Sequence, residues 1–508
     1  MFGYVFAGAA ALYLLLRNIV YPFALYLYDA KGFRKYPNLS PFSGFSNFPY
    51  MVLSMSGRRS ETLAELHQKH SVIRIGPNAL SFGDCKAIKD IYGHTTQCTK
   101  DEMYDVLAGT HFHVADVIDK DDHARKRKML SSAYALKNLE NWEHKITEKV
   151  TRLVNHFDHC EAQNQEVDYR EWTNYFTMDA IADIGLSEDL GFTSRGDDDL
   201  ISEQLDGTRR VVHYRETLHS LLTAQSHLVW SYEFYPHLAK LTKWVPGYSK
   251  LWKLGDAYPG MVFHLAKKRF ARYEAGERLD DFFQALMHSK AGSAHDLEWG
   301  EIIAELSVML NAGSVTTAIA VNNVMYLLLK NPRCLSVLRE ELDANLGDEL
   351  VSPYPKVRHL PYLRACLDEA LRIYPPTPFN LPRSTPAEGA NIMGEWIAGG
   401  TSVGMSSYVA HRDEKIFPDP ERFYPERWLS EQGKEIQPYF LTFSAGARGC
   451  LGRNISYLEQ YILTATMVHR YDFSLPSPTW EQERYEHFNH PPGPLPLQVS
   501  RRNPKAHA

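Results

Sequence analysis

The chain has 508 residues, of which 44% are hydrophobic and 23% charged, with a formal net charge of −6. That composition excludes wholesale disorder and supplies a large core, and the mildly acidic balance argues against nucleic acid as the main partner. The six cysteines, Cys85, Cys98, Cys160, Cys334, Cys366 and Cys450, are scattered without a CxxC pair or zinc spacing. They therefore read as free thiols in a reducing compartment, not as a disulfide scaffold.

Residues 2–16 are all apolar, glycine or tyrosine, and a second mostly apolar stretch, residues 19–28, is interrupted by Pro22. A helix needs about 20 residues to cross the hydrocarbon, and a span from Phe2 to Tyr21 suffices, with Arg17 snorkelling to the interface. Lys31, Arg34 and Lys35 follow while nothing basic precedes residue 17, which puts the bulk of the chain on the cytoplasmic side. A cleaved signal peptide fits less well, because there is no positive n-region and the small residues 7–11 come too early. Residues 1–28 are thus expected to be an anchor. Residues 29–50, with Pro37, Pro41 and Pro49, read as a proline-rich hinge, and residues 51–508 as one large domain.

Within that domain, residues 71–82 give two short β-like runs around Gly76-Pro77-Asn78, a hairpin signal. Residues 141–157 and 302–329 carry apolar side chains at helical spacing. The last third mixes short strands with proline-rich loops. The expected class is mainly α with a minor β part.

Residues 443–452 have the form FxxGxRxCxG, with Phe443, Gly446, Arg448, Cys450 and Gly452 at its fixed positions. A cysteine thiolate donates strongly to iron and favours O–O cleavage. It needs backbone N–H groups and shielding to set its potential. Gly446 and Gly452 permit a tight turn close to a flat macrocycle. A helix over residues 454–471 would point its positive end at Cys450 and favour the thiolate.

These residues resemble the cytochrome P450 family. Three further segments match in order, so the resemblance spans nearly the whole chain. Glu369-Ala-Leu-Arg372 has the form ExxR; alone it would be a weak surface pair, but Pro375-Pro376 and Phe423-Tyr-Pro-Glu-Arg427-Trp428 follow it. The resemblance implies that Glu369, Arg372 and Arg427 form a buried network supporting the cysteine loop. His123-Ala-Arg-Lys-Arg127 resembles the family's WxxxR segment with histidine for tryptophan. It implies that His123, Arg127, Arg383 and Arg448 reach the propionates of haem b, whose axial ligand would be Cys450. Residues 312–317 resemble [AG]-G-x-[DE]-T-[TS], which implies that Gly313 leaves room for oxygen and that Thr316, with Thr317, serves catalysis. The family's acid is replaced here by Val315, which cannot titrate, so protons must travel another way.

The resemblance further implies a P450 fold behind a transmembrane helix in the endoplasmic reticulum membrane. It implies O2 as substrate and electrons from NADPH through cytochrome P450 reductase, with cytochrome b5 as a second donor. A lipophilic small molecule would be hydroxylated or otherwise oxidised. The wording of the chain looks like filamentous-fungal members, many of which tailor secondary metabolites. A rearrangement, desaturation or ring coupling without net oxygen insertion, hydroxylation of an aromatic acid, and a non-catalytic haem-binding or adaptor role remain as alternatives. Arg125, Lys126, Lys128 and Lys137 are expected to form a reductase-docking patch. Residues 103–117 (Tyr104, His111, Phe112, His113) and 215–236 (Trp230, Tyr232, Tyr235) are expected near the substrate.

Overall fold

The computed structural model describes residues 8–9, 12–13, 15–131, 133–134, 140–289 and 292–502. At the N-terminal end a wide helical turn, Leu16–Val20, runs into α1 (Tyr21–Tyr28). Pro22 lies in the first turn of α1, where its missing N–H is harmless, and the left-handed Asp29 (φ +47°) ends the helix. Leu12, Leu16, Ile19, Val20 and Tyr28 are exposed. Part of the expected anchor, including residues 1–7, lies outside the described residues. Among those described, the helix long and apolar enough to cross a membrane is the core helix Trp299–Lys330.

Residues 29–50, expected as a proline-rich hinge, pack on the rest of the chain. Phe33 and Tyr36 are buried. Arg74 N donates to Pro37 O (2.8 Å) and Leu39 N donates to Arg74 O (2.9 Å), while Lys31 Nζ donates to Asn78 Oδ1 (2.6 Å) and Gly399 O (2.8 Å). Proline forbids helix here, but an extended segment can still pair with a strand edge. The segment is part of the folded body.

After α2 (Phe48–Met55) come β1 (Val72–Gly76) and β2 (Ala79–Phe82), paired antiparallel across Pro77-Asn78. The chain continues through β3 (Thr99–Lys100) into α3 (Lys120–Ser131), α4 (Glu143–Ala162) and α5 (Tyr169–Leu186). Helix α4 buries Ile146, Val150, Leu153, Val154 and Phe157 on one stripe. Asp168 caps α5 by accepting from Arg170 N at 3.0 Å. Then follow α6 (Tyr214–Leu228), α7 (Tyr258–Glu274) and α8 (Trp299–Lys330), the longest element at 32 residues. Helix α9 (Pro361–Ile373) stops before Pro375-Pro376, as proline demands. Strands β4 (Arg383–Ser384) and β5 (Ser402–Gly404) precede the cysteine loop, α10 (Arg453–Arg470), and the closing strands β6 (Tyr471–Ser474) and β7 (Pro496–Arg501).

The main sheet runs in the order β1-β2-β5-β4-β3, with β5 parallel to β2 and the other neighbours antiparallel. In the β3/β4 pair Lys100 lies opposite Arg383. Two apolar clusters divide α8. One joins its C-terminal half to α4, α5, α9 and α10; the other joins its N-terminal half to α5, α6 and α7. The fold is mainly helical with a minor sheet, and the middle of α8 reaches the start of α10, just after the cysteine loop, through Thr317 and Ser456.

Candidate functional site

Of the six cysteines, all free, five are buried. Cys450 differs. It lies deep in the protein, yet its side chain has accessible surface, so it faces an internal cleft. Cys450 N donates to Phe443 O at 2.9 Å and Gly449 N to Gly446 O at 3.1 Å, closing the loop. Gly446 has φ +63°, and a Cβ there would come within 2.1 Å of Tyr92 O, so no other residue fits. Burial pushes the Cys450 thiol up. The backbone N–H groups of Gly452 and Arg453, at the start of α10, and the Arg127 and Arg453 guanidiniums pull it down. Those donors stabilise a thiolate. Phe443 packs against Tyr457 (5.3 Å between rings), and Gly452 places its missing Cβ 3.9 Å from Cys450 Sγ.

The loop is held from behind by a closed ionic network. Glu369 and Arg372 are both fully buried and pair through two bonds, 2.8 and 2.9 Å. Glu369 also accepts from Arg427 Nε (3.0 Å), Trp428 Nε1 (2.9 Å) and Tyr424 N (3.0 Å). Arg372 Nη1 donates to His411 O at 2.9 Å. Leu441 N donates to His411 Nε2 (2.9 Å), so His411 Nδ1 carries the proton and donates to Arg372 O (3.0 Å). Burial, then Arg372, holds His411 neutral, its pKa near 3. His411 thus joins the ExxR helix to the cysteine loop. No local sequence signal marked it.

On another side of the cleft five basic side chains converge: Lys100, His123, Arg127, Arg383 and Arg448. Arg127 Nη1 donates to Gly449 O (2.8 Å), Arg448 to Val117 O (2.7 Å) and Ile118 O (2.9 Å), and Arg383 to Pro382 O (2.9 Å). Lys100 Nζ donates to Ala115 O. Among the described residues none of Lys100, Arg127, Arg383 and Arg448 pairs with a carboxylate. Burial, then Arg383 and Arg448, holds Lys100 well below the ordinary lysine range. Burial, then Arg448 and Arg127, lowers His123 to about 4, and burial, then Arg383, lowers Arg448 to about 10. Buried charges of one sign without counter-ions call for an anion. A dianionic macrocycle with a metal that prefers a soft ligand fits this donor set. Lys100 had no motif to reveal it; strand pairing alone sets it beside Arg383.

Along α8 the geometry sorts the oxygen-binding segment. Ala312 is exposed and Thr316 half-buried in the middle of α8, so this i, i+4 face opens on the cleft. Thr316 Oγ1 donates to Ala312 O at 2.8 Å. Gly313 is half-buried, and the direction a Cβ would take there is turned toward α5. A Cβ there would lie 2.5 Å from Ile181 Cγ1, so glycine serves the close packing of α5 on α8. Thr317 also points elsewhere, donating to Ser456 Oγ at 3.0 Å in a buried tie to α10. Both directions follow from the 100° step between helix neighbours. Val315 is 1% exposed in the α5–α8 cluster; an acid there would meet apolar side chains.

The proposed docking patch shrinks. Lys126 is buried and bonds Glu301 and Glu305, both at 3.2 Å. Arg125, though exposed, pairs with Glu301 (2.7 Å) and Asp122 (2.8 Å), Lys128 is exposed, and Lys137 lies outside the described residues. Of the aromatic segments, Trp230 and Tyr232 line one pocket with Met103. Lys100 Nζ sits 3.7 Å over the Tyr104 ring. His111 pairs with Glu298 and Phe112 is exposed. His113 pairs with Asp116, whose carboxyl burial raises to about 7, and Tyr235 is core.

A loop that shelters one cysteine under N–H donors, beside an unbalanced basic cluster and a threonine-bearing core helix, fits the class of proteins that hold a cofactor on a cysteine. The cytochrome P450 family profile matches residues 44–499. A cytochrome P450 monooxygenase of Aspergillus terreus is 31% identical over 488 residues, 90% of this chain and 94% of the relative. Cytochrome P450 monooxygenase atr2 of Stereocaulon alpinum is 30% identical over 93% of this chain and 91% of its own length. Monooxygenase cicH of Emericella nidulans is 29% identical over 90% and 93%. The chain belongs to the cytochrome P450 family and is an oxidoreductase of the monooxygenase class. The family implies haem on a cysteine thiolate.

Proposed function

We propose that this chain is a membrane-anchored haem-thiolate monooxygenase that oxidises a lipophilic small molecule in fungal secondary metabolism, taking electrons from cytochrome P450 reductase. The observation that carries it is the pairing, across one cleft, of the sheltered Cys450 with a basic cluster in which, among the described residues, Lys100, Arg127, Arg383 and Arg448 pair with no carboxylate. Cys450 would ligate the iron. Arg383, Arg448, Arg127, His123 and Lys100 would hold the two propionates. The bound haem supplies oxygen activation. The chain's own residues orient and exclude water: Ala312 and Thr316 present the smallest face of α8 to the cleft, and the Thr316 hydroxyl, anchored on Ala312 O, stands ready to pass or hold a proton. Glu369, Arg372, Arg427 and His411 fix the loop without touching substrate. The exposed apolar side chains before residue 28 support a membrane anchor, with the catalytic body on the cytoplasmic face of the endoplasmic reticulum.

The test is reconstitution with NADPH, reductase and fungal extract. A product one oxygen atom heavier than its precursor is expected. Cys450→Ala should lose both turnover and the thiolate signature of the ferrous carbon-monoxide complex. Retention of that signature in the variant would remove Cys450 as the ligand.

A further inference from the structure

Helix α5 meets the middle of α8 through three buried residues spaced four apart, Thr177, Ile181 and Gly185, which share one face. The contacts run backwards along α8: Thr177 reaches Ser314, Ile181 faces Gly313 and Gly185 faces Met309. Thr177 Oγ1 donates to Ser314 O at 2.8 Å. Its own helix offers Thr173 O (3.1 Å) and Asn174 O (3.2 Å), but a hydroxyl has one proton and the shortest contact takes it. A Cβ on Gly313 would lie 2.5 Å from Ile181 Cγ1 and 2.6 Å from its Cδ1. Isoleucine in a helix has essentially one χ1 rotamer, so Ile181, 2% exposed in the core, cannot swing aside. At Gly185 the facing atom is the flexible end of Met309, which can.

Ala312 and Thr316 face the cleft. Successive helix residues are about 100° apart, so Ser314 lies about 160° from each, on the back of α8, and Gly313 lies on the flank. Three neighbouring helices pull on the carbonyls of this stretch. Tyr258 of α7 donates to Ser307 O (2.7 Å), Tyr214 of α6 to Leu310 O (3.3 Å) and Thr177 of α5 to Ser314 O. A side-chain donor on a mid-helix carbonyl competes with the backbone N–H four residues on and loosens that turn. Thr177 acts on the turn that carries Ala312 and Thr316.

We propose that Thr177 and Ile181 are positioning residues that set where Ala312 and Thr316 stand over the cleft, and with it the bulk of the molecule the cleft admits. Neither has surface to offer a ligand: Thr177 is 0% and Ile181 2% exposed. Thr177 draws the back of the turn toward α5, and Ile181 stops the flank at the distance that glycine allows. A methyl on residue 313 therefore moves α8 off α5, and Ala312 and Thr316 go with it. This deepens the monooxygenase reading and rests on it, because that reading places the haem of Cys450 beneath this face of α8.

The experiment is optical titration of the haem-loaded full chain with a bulky and a small iron ligand, phenylimidazole and imidazole, read as the ratio of their affinities. Gly313→Ala is expected to lower that ratio about tenfold, the effect of a modest overpacking. Adding Ile181→Ala to the same chain should restore the wild-type ratio, because the new methyl then enters the space Ile181 leaves. Thr177→Val, which keeps the shape and loses the donor, should lower the ratio about threefold, the smaller worth of one hydrogen bond. Thr177→Ser should hold it at the wild-type value. Urea titration of the haem-free chain is the control on folding: the double variant should unfold no earlier than Ile181→Ala alone, since the methyl fills part of its cavity. A low ratio that Ile181→Ala leaves low means that the added methyl crowds the cleft itself, and overturns the proposal. So does a ratio unchanged in both Gly313→Ala and Thr177→Val, or a double variant that unfolds before Ile181→Ala alone. Any of these with an intact ferrous carbon-monoxide signature leaves the monooxygenase reading standing, whereas absence of that signature in the wild type removes that reading itself.

Discussion

Two buried clusters of charge flank the cysteine loop, and they are built on opposite rules. Behind it, Glu369 meets Arg372 and Arg427, and the remaining guanidinium N–H groups that bond do so to backbone carbonyls. On the cleft side, Lys100, Arg127, Arg383 and Arg448 bond carbonyl oxygens and, among the described residues, pair with no carboxylate. A closed network balances its own desolvation and has nothing left to bind; an open one keeps its deficit until a ligand arrives. Closure therefore marks the scaffold and the open cluster marks the site.

The sharpest way to break the comparison is to open the closed network. Glu369→Ala leaves two buried guanidiniums unpaired and should cost about 3–5 kcal/mol of unfolding free energy, measured by urea titration; Glu369→Gln, which keeps the shape, should cost less. If Glu369→Ala were neutral, the network would not be scaffold. Next, Val315→Asp installs a buried acid with no partner. A loss of about 2–4 kcal/mol is expected, so an altered coupling of NADPH use to product in this variant would reflect damaged packing. An unchanged urea midpoint would show that water reaches position 315.

The open cluster is predicted to respond the other way. Lys100→Met removes an unpaired cation, so the haem-free protein should be as stable or more stable, while haem is lost to an acceptor protein about tenfold faster, ~1.4 kcal/mol of retention. Lower stability with unchanged haem loss would assign Lys100 to the scaffold. The smallest effect is in pH. The folded pKa of His123, about 4, lies below its ordinary value near 6.5, so the unfolded chain takes up the proton first. Its contribution to stability is complete above about 6.5 and is lost as pH falls toward 4. It should amount to about 1–2 kcal/mol, allowing for solvent screening. His123→Phe should flatten that slope in acid titrations of the haem-free protein. A slope the variant leaves unchanged would take His123 out of the cluster.

Much of this was legible in sequence because it is local. The hairpin at Pro77-Asn78, the stripe on α4, the stop of α9 before Pro375 and the position of Cys450 ahead of α10 all follow from turn chemistry, periodicity and the reach of a few residues. Cys450 could be distinguished from the other cysteines because glycine and arginine surround it at fixed spacing. What the sequence could not decide is which way a residue faces once elements pack. Gly313 and Thr317 sit in the expected motif, and packing turns the Cβ direction of Gly313 toward α5 and the Thr317 hydroxyl toward α10. Lys126 reads as a surface base, yet Glu301 and Glu305 from α8 bury it. Lys100 and His411 carry no motif, because each acquires its role from a strand or loop distant in sequence. Spacing along the chain sets covalent neighbours and helix faces; only the tertiary fold decides which charges find partners, and the unpartnered ones mark the site.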